Sequence, residues 1–457
     1  MEEKIYKNKE EFIQDIIDYN SGFYNNNDYF SIVVSNMHRI IDFDFYLKDI
    51  LYIISEEKNT SHFYLFFDKI TFLKKCSIFN INDGFSFVSI TFIDATFNEF
   101  HFQNNTVNFT FLFISCHFKK PVNFIYSKNE NLIIFNKTHF YKEISFIEFD
   151  IIGICKFELV EVYKSIKFNL AEINNELLFF NPIFKNDDAY IEFNKDKGND
   201  INRLHILNTN LNNKFIFENI NIKYLNLSNT VLNDNINMID SNIKNCLNSQ
   251  TARILKNEEL KKANYIKVLE YQAEETKLHK EELKEQFKEN KNLKTFGDIV
   301  SIGLSSLYSD NGQNWIRAFI CTILFPSVFF TLSYNIYNIP IFIFVLISFL
   351  FIPLCDNTKI TKYIFISMFT YLILFIPIQN YIFSILIDID NKTFIKELLS
   401  YITPTNFNQI ILDKTNESYI YKDNTIIRAI SYFLGKVLFW YGSVQTVTAF
   451  RKFAKGA

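Results

Sequence analysis

The chain has 457 residues and a formal net charge of −3, a balance that argues against a nucleic-acid-binding or strongly acidic surface. Gly (10) and Pro (7) are scarce and Phe (53) is abundant. The mix of Phe, Ile, Asn, Lys and Tyr is also what an AT-rich genome produces, so the Asn-rich stretches need no functional reading. The length is enough for two or three structural units. Six Cys with no CxxC pair and no dense framework suit a reducing compartment. Met1 to Glu11 is highly charged and no apolar core of a secretory signal follows, so the bulk of the chain is expected in the cytoplasm.

Residues 1–59 read as an N-terminal cap region. Glu10 to Tyr19 predicts a short amphipathic helix with Phe12, Ile16 and Tyr19 on one face, and Phe43 to Ile54 predicts a strand.

From 60 to 248 the chain repeats. Phe87, Phe92, Phe97 and Phe102 recur every five residues, and so do Phe217, Ile222, Leu227 and Leu232. Five is neither the helix nor the strand period. It fits a square-sectioned solenoid in which each five-residue side turns one apolar residue inward. A second ladder points the same way. Cys76, Ala95, Cys116, Thr138 and Cys155 each stand two residues before Ile78, Phe97, Phe118, Phe140 and Phe157. Their spacings of 19, 21, 22 and 17 average close to 20, which is four sides of five. A small residue lets each corner close while the large one stacks on the coil below, the signature of a solenoid.

This small-x-Phe pattern in fives resembles the pentapeptide-repeat family. The resemblance implies a right-handed quadrilateral β-helix and a binding or scaffolding role, with no catalytic residues to carry over. Some soluble members resemble DNA and bind topoisomerases through an acidic face. Here basic and acidic residues nearly balance in the repeat, which does not suit that role. Broken fives at Lys119-Lys120-Pro121 and over 195–200 predict insertions or bulges.

Residues 249–291 change to a charged helical hairpin. Ala252, Leu255 and Ala263 punctuate the first helix, and a break falls near Asn264. Ile266, Leu269, Ala273, Thr276, Leu283 and Phe287 then follow 3-4 spacing, with Lys280 interrupting the seam. Two readings stand: a hairpin capping the apolar end of the β-helix, or a self-associating coiled coil. Residues 292–314 read as a connector.

No charged residue occurs from Ala318 to Leu354 or from Tyr363 to Ile387. A membrane helix needs ~20 mostly apolar residues. The fold class expected is therefore a β-solenoid, then the hairpin, then an α-helical transmembrane bundle over 315–457. The spans are 315–334, 339–354, 363–387 and a weaker fourth at 426–450. This arrangement is similar to bacterial membrane segments fused to pentapeptide repeats. Trp315, Arg317, Lys359, Lys362, Arg451 and Lys452 mark membrane interfaces, and the positive-inside rule places both termini in the cytoplasm, in an inner-membrane multi-pass protein.

Lys436 falls near the middle of the fourth span, with Ser431, Gly435 and Gly442 as a small-residue face. A mid-bilayer Lys costs roughly 2.5–3.5 kcal/mol on insertion scales, and such residues usually face a bundle interior or a water-filled cavity. Lys436 thus lines a polar path, or it snorkels, or its helix lies in the interface. No phosphate loop, HExxH or GxSxG is present, and no enzyme, metal or cofactor is expected. His117 and His139 should stack on one outer face, short of the third ligand a metal needs. Cys76, Cys116 and Cys155 read as core, about 10 Å apart on alternate coils. The expected function is a membrane-anchored scaffold or sensor whose cytoplasmic β-helix binds a protein partner. The alternative is a homo-oligomeric pore or transport protein gated by the β-helix. The bilayer is a partner in either case, and nucleic acid in neither.

Overall fold

The structure, a computed structural model, describes residues 3–20, 30–34, 38–58, 62–79, 87–103, 106–107, 109–194, 200–210, 215–231, 237–334 and 426–454. Two compact units divide the chain at Ile254 and Leu255. The expected spans 339–354 and 363–387, with Lys359 and Lys362, lie outside the described residues.

The first unit is a β-solenoid. Parallel strands stack into one sheet of ten strands and a second of seventeen among the described residues. Within a coil, alternation decides which side chains enter the core. In the strand Phe109–Ile114, Phe109, Phe111 and Phe113 are buried while Thr110, Leu112 and Ile114 face outward. The next coil repeats this in Leu132–Asn136, one register step of 22 residues on, and Ile154–Glu158 follows at another 22. The regular coil is therefore 21 or 22 residues long, not 20.

Each coil has four short faces. After Phe109–Ile114 comes His117–Phe118, then Val122–Asn129, which bends at Tyr126 into two paired stretches. The bends require left-handed backbone, which costs about 1–2 kcal/mol for a residue with a Cβ. One such residue follows the ten-stranded sheet in successive coils: Asp94, Ser115, Lys137, Leu159, Asn181, Asn208 and Asn229. Their corner amides are not wasted. Ser115 N–H donates to the Asn136 carbonyl at 2.9 Å, and Lys137 N–H to Glu158 at 2.8 Å.

The core is a set of ring stacks. Phe72, Phe97, Phe118 and Phe140 stack in series at 5.1, 4.9 and 5.4 Å. A second series runs Phe92, Phe113, Phe135, Phe157 and Phe179. The five-residue inward positions Phe92, Phe97, Phe102, Phe217, Ile222 and Leu227 are all buried. Leu232 lies outside the described residues.

The expected small-residue ladder is corrected in part. Ala95, Cys116 and Thr138 do share one corner, and Val160 continues it. Cys76 sits instead on the seventeen-stranded sheet, paired with Phe45 and Phe100. Cys155 pairs with Ile133 and Leu177 on the ten-stranded sheet. Intervals of 19 and 17 are shorter than a coil, so those two thiols fall on other faces and form no Cys column. All five residues of the expected ladder are fully buried.

The N-terminal region is more than a cap. Glu3–Tyr6 pairs with His38–Ile41, and Phe30–Val34 pairs with His62–Asp68, so solenoid strands begin well before residue 60. Helix α1 (Lys9–Asn20) buries Phe12 and Ile16. Phe43 to Ile54 is mostly not strand. After the two-residue strand Phe45–Tyr46, helix α2 (Leu47–Lys58) buries Leu47, Ile50 and Leu51 at 3-4 spacing. Lys119-Lys120-Pro121 adds one residue to the corner, since the step grows from 21 between Phe97 and Phe118 to 22 between Phe100 and Val122. The step lengthens to 27 between Leu177 and Leu204, across 195–200.

Helix α3 (Ser249–Lys261) begins where the strands end. The Leu227 amide, just past the strand on which Asn242–Cys246 stacks, donates to the Thr251 hydroxyl at 2.8 Å. Thr251 and Ala252 have no exposed surface, so the first turns of α3 close the open ladder.

In the second unit, α4 (Tyr265–Glu289) follows a left-handed Ala263, with Asn264 as its N-cap. Lys256 and Glu275 join α3 to α4 at 2.6 Å. The expected connector contains a helix, α5 (Leu293–Ser309), capped by Asn292 and ended by left-handed Asp310. Then come α6 (Trp315–Tyr334) and, after the undescribed stretch, α7 (Ile426–Ala454). These two occupy the first and fourth expected spans. Among the described residues no helix is long and apolar enough to cross a membrane.

Candidate functional site

Two places gather chemically able side chains. The first is an outer face of the solenoid. Alternation turns the residue before each inward Phe or Val outward, and the register puts His117, His139 and Glu161 in one column. The two imidazoles stack at 4.5 Å and 12°. His139 Nδ1 lies 2.8 Å from Glu161 Oε2, and Lys185 Nζ lies 2.8 Å from Oε1. The Tyr163 hydroxyl donates to Glu161 Oε2 at 3.1 Å. Beside this column Tyr141 and Tyr163 stack at 4.8 Å, with Lys119 Nζ 4.1 Å from the Tyr141 centroid.

Burial pushes the Glu161 carboxyl up, but hydrogen bonds from Lys185 and His139 outweigh it and hold it below the ordinary glutamate value. Partial burial, then the neighbouring His139 and Lys119, lower His117. With three donors on it, Glu161 is committed to the protein. Among the described residues no group of three or more His, Cys, Asp or Glu is arranged to hold a metal. The column presents stacked rings and cations on one outer face of the solenoid. Burial pushes the Cys116 thiol up to about 12 and raises Cys76 and Cys155 well above their ordinary value, which keeps all three protonated near neutral pH.

The second place is the packing of α7 on α5 and α6. Gly442 is the closest approach: a Cβ there would meet Thr322 Oγ1 at 2.4 Å and Tyr308 Cε1 at 2.7 Å. Around it, Thr322 and Thr446 hydroxyls are 3.2 Å apart, and Ser309 donates to Gln445 Oε1 at 2.8 Å. Tyr308 meets Tyr441 edge to face at 5.2 Å. Ser431, Gly435, Lys436 and Gly442 all lie on the buried face of α7, and Lys436 is only 2 % exposed. The Lys436 ammonium sits 5.5 Å from the centroid of Tyr432, one turn earlier.

The outward face of α7 is the reverse. Ile430, Phe433, Val437, Trp440, Val444, Val447 and Phe450 are all exposed, at spacings of three and four. Ile316, Phe319, Ile320 and Ile323 form a matching face on α6. At this end the outward faces are apolar, while the buried residues include polar Thr322, Ser431 and Lys436 together with apolar Phe325, Phe329 and Leu438.

Of the expected interface residues, Trp315 is partly exposed and packs its ring edge to face with Phe450 at 5.7 Å. Arg317 donates from Nε to the Leu307 carbonyl at 2.9 Å, and Arg451 is exposed. The side chain of Lys452 lies outside the described residues. The Tyr141, Tyr163, Glu161 and Lys185 cluster was not singled out from the sequence. A column spaced by 22 would have found it, whereas a coil of 20 misaligns it.

No family model matches the chain, and no curated protein or solved structure matches it. The likeness to pentapeptide-repeat proteins therefore rests on the solenoid itself, whose stacked parallel coils are consistent with that β-helix.

Proposed function

We propose that this chain is a membrane-anchored scaffold or sensor, in which a pentapeptide-repeat-like β-helix binds a protein partner and C-terminal helices sit in a bilayer as part of a four-span bundle. The observation that carries the reading is the inverted polarity of α7. A soluble helix turns its apolar stripe inward. Here Lys436, Ser431, Gln445 and Thr446 face inward or are half-buried, and the apolar stripe faces out. From Ile430 to Phe450 that stripe runs about 30 Å at 1.5 Å per residue, the thickness of a hydrocarbon core. Exposed contiguous apolar surface of this size marks an interaction with membrane or protein. The scaffold role draws on the ring-and-cation column of the solenoid face, which offers contacts but no reacting group.

The test is membrane association of the full chain. Retention in the membrane pellet after alkaline carbonate extraction supports the reading, and release into the supernatant contradicts it.

A second reading, an oligomeric pore gated by the β-helix, is favoured by the buried Lys436 and Ser431 on one face of α7. It predicts ion flux across liposomes that changes in Lys436→Leu. Absence of flux from the wild type leaves the scaffold.

A further inference from the structure

We infer that the solenoid pairs with a second copy of itself, face to face through the outside of its ten-stranded sheet, with the two solenoids running in the same direction. The two sheets differ outside. On the seventeen-stranded sheet one outward column runs His101, Asn123, Ser145 and Lys167. On the ten-stranded sheet the central outward column runs Thr91, Leu112, Ile134, Lys156 and Leu178. The column beside it runs Ile93, Ile114, Asn136, Glu158 and Phe180. Exposed Tyr64 and Phe180 lie at opposite ends of this face. Lys156 and Glu158 are the only charges in these ten positions, and Asp68 and Glu176 stand outward on the first and last strands of the face.

Their placement sets the geometry. Lys156 and Glu158 are two residues apart on one strand, both outward, flanking the inward Phe157. A two-fold axis lying between the sheets, parallel to the solenoid axis and passing over Phe157, reverses strand direction but keeps the coil level. It sets Lys156 over the partner's Glu158, and Glu158 over the partner's Lys156. The same operation sets Leu112 over the partner's Ile114 and Leu178 over the partner's Phe180. A two-fold axis along the strand would instead bring Lys156 over the partner's Lys156. Charge complementarity thus selects the parallel arrangement, and the interface is isologous, as a closed dimer requires.

The size falls at the low end of specific interfaces. Six strands at about 4.8 Å by five residues at about 3.3 Å make a flat face of about 500 Å² in projection, before side-chain relief is counted. A standard interface takes about 800 Å² of accessible surface per partner. The arrangement does not depend on the membrane reading.

The experiment is a charge exchange on the full-length chain in detergent micelles, with mass followed by light scattering through a dilution series. The wild type is expected to be a dimer. Lys156→Glu places like charges over each other twice and should weaken dimerisation about tenfold or more. Glu158→Lys should do the same, and the doubly exchanged chain should regain the wild-type affinity. Leu112→Arg should also break the dimer, with an unchanged melting temperature showing that each variant is folded. A monomeric wild type overturns the inference. So does a dimer that ignores Lys156→Glu, or a double exchange that fails to restore what the single changes lost.

Discussion

The Thr138 hydroxyl donates to the Phe113 carbonyl of the preceding coil at 3.0 Å, from a side chain with no exposed surface. Cys116 makes the same contact to Phe92 and Thr230 to Ile206. The corner position is small not only so that the turn can close, but because a short donor there fastens one coil to the next. Thr138→Val keeps the shape and removes the donor. It should cost about 1 kcal/mol, the net worth of one such bond. Thr138→Cys should retain most of the stability, as Cys116 does one coil earlier. Chemical denaturation of the three chains measures this, and equal midpoints for Val and wild type would count against it.

Phe97 lies between Phe72 and Phe118, stacked on each near 5 Å, and has 1 % of its surface exposed. Phe97→Ala leaves a cavity that a stack of rigid coils cannot collapse, at a cost of about 3–5 kcal/mol. The denaturation midpoint of the full chain reports it, and a change under 1 kcal/mol would be inconsistent with the stack.

Gly153 has no room for a side chain against the preceding coil. A Cβ there would lie 1.7 Å from the Asn131 carbonyl oxygen. Backbone, not a flexible side chain, is the obstacle. Gly153→Ala should therefore destabilise by about 1–3 kcal/mol or more, the cost of overpacking. An unaffected melting curve would show that the coils are further apart than described.

His117 is held below its ordinary value, so the folded chain disfavours its protonation. Its contribution to stability is present above the ordinary His value near 6.5 and is lost as pH falls from there toward the folded value. Glu161, also lowered, loses its contribution in the same direction at more acid pH. Denaturation midpoints at pH 7.5 and 5.5 should drop for the wild type and drop less for His117→Gln. Identical drops would assign the pH dependence elsewhere.

How far the sequence could be read depends on where the coils are regular. Between Phe92 and Phe179 every register step is 21 or 22, and the inward Phe positions and the His117–His139 stack are legible from spacing alone. Before residue 60 the steps are 35 and 33, from Tyr6 to Ile41 and from Phe30 to Phe63, so self-similarity fails. Over Phe43–Ile54 the expected strand gives way to α2, because tertiary burial of Leu47, Ile50 and Leu51 decides for helix. Helix α5 hid behind Gly297, Gly303 and four Ser, which read as loop. Its order comes from contacts distant in sequence, such as Ser305 and Ser309 on Gln445. The small face of α7 was legible because Gly and Ser at helical spacing announce close packing. That its apolar residues face outward required the structure.

Whether the outward stripe of α7 meets lipid can be measured directly with the two tryptophans of the chain. Trp440 lies mid-stripe and is 39 % exposed. In a Trp315→Phe chain Trp440 is the sole indole. Reconstituted into vesicles whose acyl chains are brominated, its fluorescence should be strongly quenched, and aqueous iodide should leave it nearly unchanged. Strong iodide quenching with no effect of bromine would place the stripe in water or against protein and contradict the membrane anchor.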